Sequence, residues 1–194
     1  ATGSGKSTSL AAMVNQLNQQ HSGHILLLEE PIEYLHQSAR CLIQQREAGR
    51  DCGSFASGLK AALRQDPDVI VLGELRDRDT LRQALIAAET GHLVLATLHA
   101  RDAVQTIDRI VNIFPPAEKE WIRYQLAGSL RAILAQQLIA TQAGGRVALY
   151  ELLLNTSAVS HIIREGKTCQ LPGILQTGQR VGMQSFAQSR ALLL

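Results

Sequence analysis

In the first hundred residues, short runs of consecutive apolar positions alternate with longer stretches whose apolar positions recur every three or four residues. Leu10, Ala11, Val14 and Leu17 have helical spacing, and the pattern ends near His21-Ser22-Gly23. Ile25-Leu26-Leu27-Leu28 is continuously apolar, as expected of a strand buried on both faces of a parallel sheet. Arg40 to Arg46 alternates loosely and predicts another strand, followed by a polar turn from Glu47 to Gly53. Ser54 then starts a helix with Phe55, Leu59, Ala62 and Leu63 on its apolar face, stopped by Asp66-Pro67. Val69-Ile70-Val71-Leu72 is a further strand. Asp79 to Thr90 is a helix with Leu81, Leu85 and Ala88 on one face, and His92 to His99 is the next strand.

Beyond Asp102 the pattern changes. Val104, Ile107, Ile110 and Val111 continue a helix that Phe114-Pro115-Pro116 breaks. Ala117 to Leu138 reads as one long amphipathic stretch through Trp121, Ile122, Leu126, Leu130, Ile133 and Leu134. Gly144-Gly145 predicts a hairpin turn between Leu138-Ile139 and Val147-Ala148-Leu149, and Ser157 to Glu165 predicts a helix before a weakly helical end. Strands separated by helices imply a parallel α/β sheet, with residues 1–114 as its core and 115–194 as a smaller, mostly helical subdomain.

Composition narrows the function classes. With 194 residues, 45% of them apolar, the chain can bury the core of one domain with a small appendage. No apolar run reaches the roughly 18–20 residues of a membrane span. A net charge of +2 and 4% aromatic residues give no basic face and no base-stacking surface, so nucleic acid is not an expected partner. The 3 cysteines are scattered without a CxxC pair, which supports neither a disulfide framework nor a zinc site and makes a cytoplasmic setting the default.

The candidate chemistry begins at Ala1-Thr2-Gly3-Ser4-Gly5-Lys6-Ser7-Thr8, most of the phosphate-binding pattern GxxxxGK[ST]. Its first glycine would precede Ala1, so the chain is expected to be a fragment that lacks the start of the loop and the first strand of the sheet. Thr2 to Thr8 form the expected nucleotide-binding segment. Backbone donors of Gly3, Ser4 and Gly5 would meet phosphate, Lys6 would reach the terminal phosphates, Ser7 would ligate Mg²⁺, and Thr8 would lie beside the base-proximal phosphates. Acids follow two of the strands. Glu30 and Glu33 in EEPIEY stand where open α/β sheets bind ligands, and Glu74 follows Leu72-Gly73 in a Walker-B-like strand. Glu74 is the first choice for catalytic base and a second Mg²⁺ contact, since Gly73 stands where many phosphate-loop enzymes carry aspartate. His99 would sense the terminal phosphate, His92 would serve structure or an interface, and Arg76 would pair with Asp77.

Taken together, these segments resemble the hexameric ATPases of type II secretion and type IV pili, and within them the pilus retraction (PilT-type) branch. The carriers are ATGSGKST, EEPIEY, ALRQDPDVIVLGELRD, TGHLVLATLHA, TIDRIVNIFP and AVSHIIRE. By this resemblance the fold is that of a RecA-like P-loop NTPase, EEPIEY is an Asp box with Glu30 in place of aspartate, GELRD is the Walker B box, and the strand from His92 to His99 is the His box. The stretch from Gln137 to Gly145 lacks the tetracysteine zinc insertion of extension-type enzymes. AVSHIIRE follows a retraction motif except at Ser160 and His161. The resemblance implies ATP and Mg²⁺ as cofactors, a homo-hexamer, and a cytoplasmic position at an inner-membrane pilus or secretion platform. It also implies an N-terminal PAS-like domain and trans-acting arginines outside this chain, so that the isolated segment would be weakly active. The readings set against it are a RecA-like motor on nucleic acid and a paralogue that binds nucleotide without driving retraction.

Overall fold

A computed structural model describes residues 3–141 and 144–192. The chain resolves into two compact units, Lys6–Leu98 and a second that begins at His99 and includes the short segment ending at Gly5. The boundary expected between residues 114 and 115 lies inside the second of these.

The Lys6–Leu98 unit is a parallel α/β layer. Its elements are α1 (Lys6–Gln20), β1 (Gly23–Glu29), β2 (Cys41–Glu47), α2 (Phe55–Ala62), β3 (Val69–Leu72), α3 (Arg78–Glu89) and β4 (Leu93–Ala96). The strand order is β2-β1-β3-β4 and every pairing is parallel. The four-residue apolar run of β1 lies at the centre because nothing in it needs water: Ile25, Leu26, Leu27 and Leu28 are at most 2% exposed. Their alternation covers both faces. Ile25 and Leu27 join Val14 of α1, Cys41 and Val71 in one buried cluster. On the opposite face Leu28 meets α2, where a Cβ built on Gly58 would lie 3.2 Å from Leu28 Cδ2. Each such side chain contributes about 1.5–3 kcal/mol on burial.

Capping residues set the helix starts. Ser54 and Ser57 form a capping box at α2. Asp77 caps α3, its carboxylate accepting from the Thr80 backbone N–H at 2.8 Å and the Thr80 hydroxyl at 2.7 Å. Asp77 is therefore not the partner of Arg76 expected from sequence. A second polar device fixes the long connection between β1 and β2. Asn18, buried on α1, accepts from the N–H groups of Ala39 and Cys41 and donates to the Gln37 carbonyl. The Cys41 thiol donates to the His21 carbonyl, and all three cysteines are thiols.

The unit from His99 onward holds α4 (Ala103–Asn112), α5 (Lys119–Ser129), β5 (Ala132–Ala140), β6 (Arg146–Leu154), α6 (Ser157–Glu165), α7 (Leu171–Thr177) and α8 (Phe186–Ala191). Here the sequence pattern misleads. The amphipathic stretch ends at Ser129, and Leu130 to Leu138 belongs to a strand or its approach. β5 and β6 pair antiparallel from Ala132↔Leu154 to Ala140↔Arg146, so the expected Leu138-Ile139 and Val147-Ala148 pairing is the turn end of a hairpin whose two strands are nine residues each. Gly144 and Gly145 adopt φ of 84° and 90°, a left-handed conformation that glycine enters without a Cβ clash. Among the described residues no strand pairs with the outer edge of β5. None of the described helices is long and apolar enough to cross a membrane.

Alternation in β6 turns Leu149, Glu151 and Leu153 inward. Glu151 is only 8% exposed and accepts from the Ala103 N–H at 2.9 Å, at the start of α4. Burial pushes its carboxyl above the usual range, against the pull of that bond. A raised acid pKa in the folded state means the folded protein holds the proton more tightly, so this group's contribution is complete at acid pH and is lost as pH rises through its folded pKa. The difference in melting temperature between Glu151→Gln and wild type should therefore move in the variant's favour between pH 4 and pH 8. Parallel melting curves at both pH values would remove the coupling.

Candidate functional site

In the Lys6–Leu98 unit the candidate site gathers at the carboxyl ends of β1 and β3 and the amino end of α1. α1 begins at Lys6, so the first-turn N–H groups and the helix dipole lie with Lys6, Ser7 and Thr8. Ser7 and Thr8 are exposed. Burial lowers the pKa of the Lys6 ammonium, while the Glu74 carboxylate raises it, which places Glu74 within electrostatic reach of the lysine.

Glu74 is positioned by the ends of two strands. The Thr97 hydroxyl donates to the Gly73 carbonyl, the Leu75 N–H donates to the Thr97 carbonyl at 2.9 Å, and the Gly73 N–H donates to the Leu28 carbonyl at 2.8 Å. The glycine has a steric reason. A Cβ at position 73 would lie 3.3 Å from Glu29 Cα and 3.4 Å from the Leu28 carbonyl oxygen, so a side chain there requires the backbone to give by a few tenths of an ångström. The second acid familiar from other phosphate-loop enzymes is disfavoured by how closely β3 approaches β1.

Arg76 donates to Glu74 Oε2 at 2.6 Å and to Glu30 Oε2 at 3.1 Å. The ion pair anticipated with Asp77 is replaced by a bridge between two of the candidate acids. Glu33 lies exposed on the following loop. That loop is tied to β2: Gln45 donates to Glu29 and to the Tyr34 carbonyl and accepts from the His36 N–H, while Glu47 accepts from the Ile32 N–H. Tyr34 Oη lies 3.0 Å from Thr8 Oγ1, joining the loop to the first turn of α1. His92 is structural in its surroundings, with Nδ1 3.0 Å from the Ala87 carbonyl and 3.2 Å from Thr90 Oγ1.

The remaining candidates belong to the other unit. Gly3 and Gly5 take φ of 72° and 83° around buried Ser4, a turn whose successive N–H groups suit an anion. The Gln136 amide of β5 is close to Gly5, 2.9 Å from where a Cβ would stand. The His99 carbonyl accepts from Arg109 Nη1 at 2.9 Å. Thr2 lies outside the described residues.

The donor set suits Mg²⁺ held mainly by phosphate and water. Among the described residues no group of three His, Cys, Asp or Glu could hold a metal ion, and the Ser7 hydroxyl and the Glu74 carboxylate are the oxygens that could contribute to one held chiefly by phosphate. Mg²⁺ binds in this way where it accompanies phosphates, keeping several waters and taking one or two protein ligands. Sequence reasoning missed Tyr34, Gln45 and Gln136, whose roles depend on the fold of a loop and a strand that periodicity does not describe. Arg76 was legible as a charge in GELRD but not as a bridge, because its second partner is 46 residues away.

The chain is 66% identical over 189 residues to the protein YggR of Escherichia coli (strain K12), covering 97% of this chain and 58% of that one. It is 53% identical to the twitching motility protein of Neisseria gonorrhoeae, covering 97% and 50%. The crystal structure of the pilus retraction motor PilT with bound ADP superimposes with a TM-score of 0.91 at 46% identity, covering 99% of this chain and 54% of the other. The chain thus spans about half the length of the relatives it matches. A family model described as type II/IV secretion system protein matches residues 1–189, and the chain belongs to that family, with a sequence of the PilT type.

Proposed function

We propose that the protein of which this chain is the catalytic part is an ATP-hydrolysing motor of the type IV pilus retraction kind. What supports this reading is the Gly-Ser-Gly turn that leads into Lys6 at the start of α1 in the same unit as Glu74, at the end of a parallel sheet, where the Glu74 charge acts on Lys6: a phosphate-binding cation and a candidate base of the kind phosphoryl transfer to water requires. The Gly3–Thr8 turn and the first turn of α1 bind the phosphates. Lys6 would neutralise the terminal ones, Ser7 and Glu74 would hold Mg²⁺, and Thr8 would lie toward the base-proximal end. When bound, Mg²⁺ would supply charge neutralisation to the phosphates. Glu74 takes the proton of the attacking water, Glu30 and Glu33 stand behind it, and His99 responds to loss of the terminal phosphate.

The bound ADP of the PilT structure and the twitching motility of the Neisseria relative support the same reading for this chain. It carries with it a ring of six copies, in the cytoplasm against an inner-membrane pilus or secretion platform, with neither nucleic acid nor zinc as partner. In the full-length protein, Lys6→Ala should weaken ATP binding by about 100-fold or more, as truncating one partner of a desolvated charge pair does. Titration with a fluorescent nucleotide measures this. An affinity unchanged by Lys6→Ala would overturn the site, and an ATPase rate that depends on added DNA or RNA would turn the reading toward a nucleic-acid motor.

A further inference from the structure

The Arg76 guanidinium spans the acids that follow β1 and β3. Leu75, between Glu74 and Arg76, is buried, and the two charged side chains bond to each other on the other side of the chain. The Nε bond to Glu74 is 2.6 Å and reaches a carboxylate whose side chain is 17% exposed. The Nη1 bond to Glu30 is 3.1 Å and reaches one that is 50% exposed. The shorter, less hydrated, charge-assisted bond is the stronger of the two. Glu74 is also the acid whose charge acts on Lys6, so it is the carboxylate to which a cation arriving with phosphates would be drawn. A guanidinium and a divalent cation repel each other and cannot both occupy the same carboxylate oxygen at contact distance.

We propose that Arg76 is the resident counter-ion of the Glu74–Glu30 pair: a positioning residue that holds both carboxylates in place, and that the divalent cation accompanying the nucleotide displaces from Glu74. This rests on the reading of the site as a nucleotide-binding one. The two-pronged geometry gives the exchange a direction. When Nε leaves Glu74, Nη1 keeps Glu30, so the guanidinium retires toward the exposed acid and opens the inner one. Metal affinity in wild type is then the outcome of a competition that Arg76 handicaps.

The test uses full-length protein saturated with ADP, with Mn²⁺ as the probe followed by electron paramagnetic resonance. Arg76→Gln should lower the half-saturating Mn²⁺ concentration about three- to five-fold, the size of effect expected from removing a partly exposed ion pair. Its affinity for ADP in the presence of a chelator should match wild type. Arg76→Lys, which keeps the charge but loses the planar fork, should fall between the two and carries the test if the glutamine variant melts early. An unchanged or higher Mn²⁺ requirement in Arg76→Gln would overturn the competition. Wild-type protein that binds no ADP would remove the nucleotide reading, and with it this proposal.

Discussion

Glu74→Gln in the full-length protein should leave nucleotide affinity unchanged and slow steady-state phosphate release by about 10²–10⁴-fold, the range in which a positioned general base contributes. The carboxamide keeps the shape of the side chain and an oxygen that can accept from Arg76, so the bridge to Glu30 loses charge but not its geometry. What it cannot do is take a proton from water. The position is also well defined: Thr97 and Leu28 hold the backbone on either side of Gly73, and the Glu74 side chain is 17% exposed. Phosphate release measured beside nucleotide binding separates the two effects. Turnover that persists in this variant would move the base to Glu30 or Glu33.

Gly73→Asp should be the most damaging single change at the rim of the sheet. Its Cβ would press on Glu29 Cα at 3.3 Å and the Leu28 oxygen at 3.4 Å, both backbone atoms of the central strand. Overpacking of this kind costs about 1–3 kcal/mol. The new carboxylate would also lie beside Glu29, whose Cγ is 3.6 Å from the same point. Gly73→Ala isolates the steric part and should lose less. Denaturant midpoints report both, and a midpoint for Gly73→Asp equal to wild type would show that β1 and β3 separate at no cost.

How legible these features were depends on what each required. β1 and β3 were readable because a strand covered on both faces must be apolar at consecutive positions, β4 from its apolar run although it is a half-buried edge strand with Leu93 exposed, and α2 because Ser54 and Asp66-Pro67 mark its limits. β5 was not. Leu126, Leu130, Ile133 and Leu134 satisfy helical spacing as well as they satisfy a helix followed by a strand, and only the burial of Ile133 and Ala135 with exposure of Ala132 and Leu134 reveals the period of two. The loop motif, Glu74 and Glu30 were legible from residue type and place after a strand. The Arg76 bridge, the Tyr34 contact with Thr8 and the crowding of a side chain at Gly73 were not, since each is set by the distance between segments far apart in sequence.

One feature of the hairpin bears on how the molecule behaves in a tube. Ala132–Ala140 contains no charged residue and no proline, and its backbone donors and acceptors on the side away from β6 meet no strand among the described residues. Proteins usually guard such a border with lysine, proline or a bulge, because an unguarded one recruits the same border of another molecule. A lysine at the 38% exposed Leu134 is expected to lower any tendency of this border to pair between molecules, and light scattering against protein concentration for Leu134→Lys beside wild type would check it.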